Sequence, residues 1–324
     1  MRGVLRKCLS IICVALLMYV FIQISGLKKM RRKLSVNEKV ADTARKKVRF
    51  SQLANEAFSN LAGSVVYNRV PKCASTTIRK LIVKLSIQSR FKVHIESKPF
   101  IKQCLTETEQ TNLAHSWSTL GNTTMFVRHL YYVDFTRFGF QQPTYLNVIR
   151  DPVERYVSAY YFNRFGFKGW TAEKAKKWLV KMSDDKRSMS LDDCVSRNVT
   201  QCLYDNPSRY LNYFCGQDNQ CSRSNEWSLN KAKENVMNSY LVVGLTEDME
   251  NTLKILEHTL PRYFDRAREM FASVNAIRHT KTANKRQPSE ETKRKLRTAL
   301  FYEDQFYKFV KARFYKQLKS IDLT

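Results

Sequence analysis

Two stretches of the chain carry residue types and spacings suited to binding anions. Residues 64–70 form a β-branched and aromatic run that stops at Pro71, the pattern of a buried strand. Lys72-Cys73-Ala74-Ser75-Thr76 follows, and then Ile78, Leu81 and Ile82 fall on one helical face. A strand, a tight loop of small residues with a lysine, and a helix N-terminus together make an anion cradle. Loop N–H groups and the positive helix end point at the anion, and Lys72 adds a full charge. The loop lacks the glycine spacing of a nucleotide P-loop, so taken alone it reads equally well as an ordinary turn. The second stretch, 145–161, repeats the plan: Arg150 ends a strand and Ser158 lies two helical turns further on. Two cradles on two strands suit a nucleotide with phosphates at both ends.

The elements needed to position these groups are legible as an alternation. Strands are expected at 64–70, 91–95, 125–130, 145–149 and 240–245. Helices are expected at 76–85, 106–114, 153–165, 172–180, 227–237 and 247–260, with one or two more in 289–318. Residues 192–225 read as a polar, loop-rich stretch and 276–288 as a basic loop. Such βα alternation argues a parallel sheet covered by helices, with ligands at the carboxyl ends of the strands. Lys72, His129 and Arg150 all fall at such ends.

The 324 residues carry a net charge of +27, of which +11 sits in residues 1–50 and +16 in the remainder. A surface this basic seeks polyanions: nucleic acid, anionic lipid or sulfated polysaccharide. Residues 9–27 form an apolar run just long enough to span a bilayer. This divides the chain into a cytoplasmic tail (1–8), a signal anchor (9–27), a stem (28–60) and a luminal domain (61–324). Local charge alone would leave the domain in the cytosol, since Lys28, Lys29, Arg31, Arg32 and Lys33 follow the span. Cysteines and sequons argue the opposite. Cys194, Cys202, Cys215 and Cys221 cluster without a Cys-x2-Cys pair or a histidine at ligand spacing, so no metal is expected. Two local disulfides fit them, and disulfides imply an oxidising compartment. Asn122-Thr123-Thr124 and Asn198-Val199-Thr200 are glycosylation acceptors. A luminal domain has no access to nucleic acid, which removes that partner.

Pro71-Lys72-Cys73-Ala74-Ser75-Thr76 resembles the 5′-phosphosulfate loop of sulfotransferases that use 3′-phosphoadenosine 5′-phosphosulfate (PAPS). Ile149-Arg150-Asp151-Pro152 through Ser158 resembles their 3′-phosphate motif. Residues 67–72, His129 with Asp134-Phe135, Arg164-Phe165-Gly166 and residues 260–264 are similar to the uronyl 2-O-sulfotransferase family, above all its heparan sulfate branch. The resemblance runs from about residue 64 to near the C-terminus. It implies a P-loop-like α/β sulfotransferase fold with a central parallel sheet and an N-terminal membrane anchor. It implies transfer of sulfate from PAPS to the 2-hydroxyl of uronic acid, iduronic acid in heparan sulfate, by a Golgi type II membrane protein that forms a homotrimer.

The resemblance also implies roles. Lys72 serves the leaving group, helped by the backbone of Cys73, Ala74, Ser75 and Thr76. Arg150 and Ser158 fix the 3′-phosphate, and Lys281, Thr282 and Lys285 close over the donor. His129 is the base, with an ordinary imidazole near pH 6.5. Arg69 and His94 bind the acceptor, and the disulfides pair Cys194 with Cys202 and Cys215 with Cys221. The heparan enzymes carry a further histidine where this chain has Val127. That difference, Lys72-Cys73 and Cys215-Gly216-Gln217 lean towards dermatan or chondroitin sulfate. Val70-Pro71-Lys72-x-Ala74-Ser75-Thr76, His94-Ile95 and Glu154-Arg155 with Val157-Ser158 lean towards heparan. A non-catalytic heparin-binding membrane protein would explain the charge and the membrane span but leave the paired phosphate motifs without a purpose.

Overall fold

Val65, Val66 and Tyr67 are almost wholly buried, and the strand they form, β1 (Val65–Asn68), is the middle of a five-stranded sheet. This computed structural model describes residues 63–322 except 97–101, 122–123, 172, 176–178, 180, 205–209 and 274–280. The expected tail, membrane span and stem, Asn122, and part of the basic loop lie outside the described residues. Among the described residues no helix is long and apolar enough to cross a membrane.

The other strands are β2 (Lys92–Ile95), β3 (Thr124–Arg128), β4 (Thr144–Ile149) and β5 (Tyr240–Leu245). Their order is β2-β3-β1-β4-β5, and every pairing is parallel. β1 pairs Val65 with Met125 on one side and with Thr144 on the other. β3 and β4 are buried along nearly their whole length, as strands covered on both faces are. β2 is the exception: its residues alternate between exposed and half-buried, because it is an edge strand.

Helix α1 (Ser75–Ser89) follows β1 and buries Ile78, Leu81, Ile82 and Leu85 at the helical period. Helix α2 (Glu107–Ser118) starts at a capping box formed by Thr106 and Glu109. Helix α3 (Pro152–Phe165) follows β4, capped by Asp151 with Pro152 in its first turn. The 192–225 stretch is more helical than its polar composition implied. It contains α4 (Leu191–Tyr204), broken at Asn198, and α5 (Tyr210–Cys215). Leu191 and Val195 of α4 pack with Val153, Tyr156 and Val157 of α3, while Tyr210, Leu211, Tyr213 and Phe214 of α5 enter the main core. The cysteines tie these short helices down. Cys194 bonds to Cys202 and Cys215 to Cys221, and Cys73 and Cys104 are free thiols. Helices α6 (Glu226–Ser239) and α7 (Met249–Thr259) flank β5. The chain closes with α8 (Glu290–Ala299) and α9 (Phe301–Ile321), which bury Leu296, Phe306, Val310 and Phe314.

Candidate active site

A cavity of about 830 Å³ opens at the carboxyl end of the sheet, where the loops of a parallel sheet converge. Residues that immediately follow four of the strands line it: Arg69 and Lys72 after β1, His129 after β3, Arg150 after β4 and Thr246 after β5. The edge strand β2 does not reach it. His94 lies on that strand with its ring against Phe126 and Nε2 3.8 Å from Glu96. It is therefore not brought together with Arg69, contrary to the pairing expected from the resemblance.

The β1 loop is built to expose its backbone. Lys72 (φ 67°) and Ala74 (φ 52°) both sit in the left-handed region, at roughly 1 kcal/mol or more each for residues with a Cβ. Ala74 caps α1 without a side-chain hydrogen bond, and the first turn of α1 holds no acidic residue. Pro71, Ala74, Ser75 and Thr76 line the cavity. Cys73 does not: it is fully buried, with Sγ 3.6 Å from the Tyr210 hydroxyl. Burial pushes its thiol up to about 11, so Cys73 can offer a ligand only its backbone.

Lys72 has no ion-pair partner among the described residues. Its Nζ donates to Thr282 Oγ1 at 3.1 Å and stands over the rings of Phe162 (3.9 Å) and Phe167 (4.5 Å). Burial first, and then the charges of Arg150, Lys285 and Arg155, lower its pKa to about 7. A buried lysine among cations is a candidate anion-binding group. The Thr282 hydroxyl also lies 3.3 Å from Ser158 Oγ, joining the two cradles.

In the second cradle Arg150 Nη2 donates to Glu154 Oε2 at 3.0 Å, and Lys285 Nζ reaches the same oxygen at 3.0 Å. The strand-to-helix turn is fixed from several sides. Asp151 accepts from the N–H groups of Val153 and Glu154 and pairs with Arg297 at 2.9 Å. The Tyr210 hydroxyl donates to the Arg150 carbonyl and lies 3.2 Å from the Arg150 N–H. Tyr210 thus holds the ends of both cradles, through Arg150 and Cys73. No motif pointed to it, since it sits in the cysteine-bearing stretch read as loop. Lys281, Thr282 and Lys285 all line the cavity. Their segment is pinned by Lys168 N–H to Lys281 O and Ala283 N–H to Gly166 O, each 2.9 Å. Opposite them stand Phe162, Phe167 and Trp170, which the sequence did not single out as site residues.

His129 Nδ1 lies 2.7 Å from the Arg69 carbonyl oxygen. A carbonyl only accepts, so Nδ1 carries the proton and Nε2 keeps its lone pair. Burial first, and then the positive charges of Arg69 and Arg79, lower the imidazole to about 3. The unliganded ring is therefore neutral at every physiological pH, and the expected value near 6.5 does not apply to it. Arg69 presents a guanidinium whose buried Nε has no hydrogen-bond partner among the described residues; burial lowers it to about 10, still charged.

A family model described as "Sulfotransferase family" matches residues 55–310. The chain belongs to the sulfotransferase family. It is 37% identical over 255 residues to the uronyl 2-sulfotransferase of Homo sapiens, covering 78% of this chain and 62% of that protein. It is 33% identical over 258 residues to heparan sulfate 2-O-sulfotransferase 1 of Xenopus laevis, covering 77% of this chain and 70% of that one. The human heparan sulfate 2-O-sulfotransferase 1 is 32% identical over 258 residues, with the same coverage. This chain thus spans less than two thirds of the human uronyl 2-sulfotransferase.

Proposed function

We propose that the chain is a PAPS-dependent glycosaminoglycan sulfotransferase that acts on the 2-hydroxyl of uronic acid, iduronic acid in heparan sulfate in particular. One observation carries the reading: a depressed lysine without an ion-pair partner among the described residues, an arginine–serine cradle and a neutral histidine line one cavity in a chain of the sulfotransferase family. The residues present fit the donor. Left-handed backbone at Lys72 and Ala74 and the acid-free start of α1 suit a 5′-phosphosulfate, and Arg150, Ser158 and Lys285 suit a 3′-phosphate.

When bound, PAPS supplies an activated sulfuryl group with a phosphate as its leaving group. Lys72 meets the negative charge that grows on that leaving oxygen, a charge absent from the ground state. His129 Nε2 takes the proton of the acceptor hydroxyl. Arg69 pairs with an acceptor carboxylate or sulfate through its planar fork. Burial is the first cause of the depression, but bound donor and acceptor anions offset the contribution of Arg69 and Arg79, so loading the site raises the basicity of His129 when a base is required.

Dermatan or chondroitin sulfate is the second acceptor reading, favoured by the 37% match to a uronyl 2-sulfotransferase. Val127, which stands where the heparan enzymes carry a histidine, is fully buried in β3 and favours the same second reading. In the same reading the chain is a type II Golgi membrane protein and a homotrimer, glycosylated at Asn122 and at Asn198, the latter exposed. Incubation with labelled PAPS and each polysaccharide tests the proposal. Label in heparan sulfate, recovered on the 2-O position of uronic acid, supports it; label confined to dermatan or chondroitin sulfate selects the second reading. Heparin binding without transfer would leave a non-catalytic binding protein.

A further inference from the structure

The second cradle contains an acid that phosphate binding does not need. Glu154 Oε2 alone accepts from both Arg150 and Lys285, at 3.0 Å each. Ser158 lies one turn further along the same helix. Glu154 is anchored there, its N–H held by Asp151 Oδ1 at 3.1 Å. The three side chains are 24%, 21% and 31% exposed for Arg150, Lys285 and Glu154, so solvent screens them less than a surface pair. The first cradle has no counterpart, since the first turn of α1 carries no acid and Lys72 has no ion-pair partner among the described residues.

We propose that Glu154 is a resident counter-charge: it tethers Lys285 to Arg150 before the nucleotide arrives and weakens the hold on the 3′-phosphate afterwards. The inference rests on the donor reading above. In the empty site two cations would otherwise face each other, and Glu154 satisfies both. An entering phosphate takes the same two cations while the carboxylate stays on the same helix turn as a like charge. Sulfuryl transfer alters the other end of the nucleotide, so the 3′-phosphate is the same in donor and product. A penalty placed there costs donor affinity and speeds product departure together, which is useful where release limits turnover.

The test is calorimetry of the full-length chain with adenosine 3′,5′-bisphosphate and with adenosine 5′-phosphate, for the parent, Glu154→Gln and Glu154→Asp. Removing a like charge at partly screened range should tighten the bisphosphate about tenfold in Glu154→Gln. Adenosine 5′-phosphate should be unchanged, and Glu154→Asp, which keeps the charge, should bind like the parent. A merely structural role would not sort the nucleotides by their 3′-phosphate. A Gln variant that binds the bisphosphate equally or more weakly overturns the proposal, as does one that tightens both nucleotides alike. A parent that does not prefer the bisphosphate removes the donor reading itself; a parent that prefers it beside an unaltered Gln variant isolates the failure at Glu154.

Discussion

The two cradles share a plan of strand, turn and helix start, but they treat charge in opposite ways. After β1 the helix begins on Ala74 with no side-chain cap and no acid, and among the described residues Lys72 is met by a hydroxyl and two aromatic rings. After β4 the helix begins on Asp151, and Glu154, Arg297 and Glu247 surround the turn with counter-charges. A site that binds an unchanging phosphate can be neutralised in advance. A site that must answer charge appearing during a reaction works best if nothing else has answered it first. On this view the bare cradle is the catalytic one and the neutralised cradle is the handle.

The largest expected effect lies beside the cradles. His129→Ala should lower turnover by about 10²–10⁴-fold, the usual worth of a general base, while leaving adenosine 3′,5′-bisphosphate affinity intact. His129→Gln can still hydrogen-bond the sugar; if it keeps most of the turnover, His129 only positions the acceptor. The pH profile sharpens this. With the free imidazole near 3, kcat/KM should show no acid limb near pH 6.5, and kcat, which reports the loaded complex, should show its limb at higher pH than kcat/KM. Coincident limbs near 6.5 would break the argument from burial and the two arginines.

Lys72→Ala comes next, with kcat reduced about 10²–10³-fold, comparable to losing an oxyanion donor, and little change in bisphosphate affinity. Arg150→Ala should do the reverse, weakening that affinity by about tenfold to a hundredfold, as for a hydrogen bond to a charged group, with kcat nearly kept. If titration calorimetry and steady-state rates show the same split for both variants, the two cradles are equivalent and the contrast fails.

The smallest effect is on stability. Lys72 titrates near 7 in the folded protein against 10.5 for the unperturbed group. The unfolded chain therefore binds more protons between those values, and this group's contribution to stability rises with pH across that window. Below pH 7 its burial cost is present in full. Lys72→Met should melt about 2–4 °C above the parent at pH 7, with the gain shrinking as pH rises towards 10.5. Scanning calorimetry at several pH values would show it, and an unchanged or lower melting temperature at pH 7 would mean that the rings of Phe162 and Phe167 already compensate the charge.

The four covered strands were legible in the sequence because buried parallel strands read as nearly continuous apolar runs, whereas the edge strand β2 is a short alternating segment; each of the five lies within a residue or two of its expected place. Lys72, Arg150 and Ser158 were legible because anion cradles have local grammar: small residues, a cation and a helix start. His129 needed the family resemblance, since one histidine carries no pattern. Helices α4 and α5 were hidden because cysteines, acids and asparagines interrupt their apolar runs; α4 is held by Leu191 and Val195 packing on α3, and α5 by Tyr210, Leu211, Tyr213 and Phe214 entering the main core. That His94 lies outside the cavity has a topological cause: sequence locates a strand but not its rank in the sheet, and β2 is an edge strand. Tyr210 and Glu154 act through contacts 60 residues away, at Arg150, or across a helix turn to a distant loop, at Lys285. No local pattern encodes such contacts.

Gly166 has φ 69°, and a Cβ there would fall 2.5 Å from Cε3 of Trp170. That clearance lets the indole lie against the chain while its ring meets Phe162, Phe167 and the Lys174 ammonium and faces the cavity. The other two described tryptophans are placed differently: Trp117 is buried against Phe126, and Trp227 is 41% exposed at the start of α6. Of these three, only Trp170 borders the space a nucleotide would fill. Filling the chamber should therefore dim or shift the emission of Trp170, an optical gauge of occupancy that needs no dye, label or turnover to read.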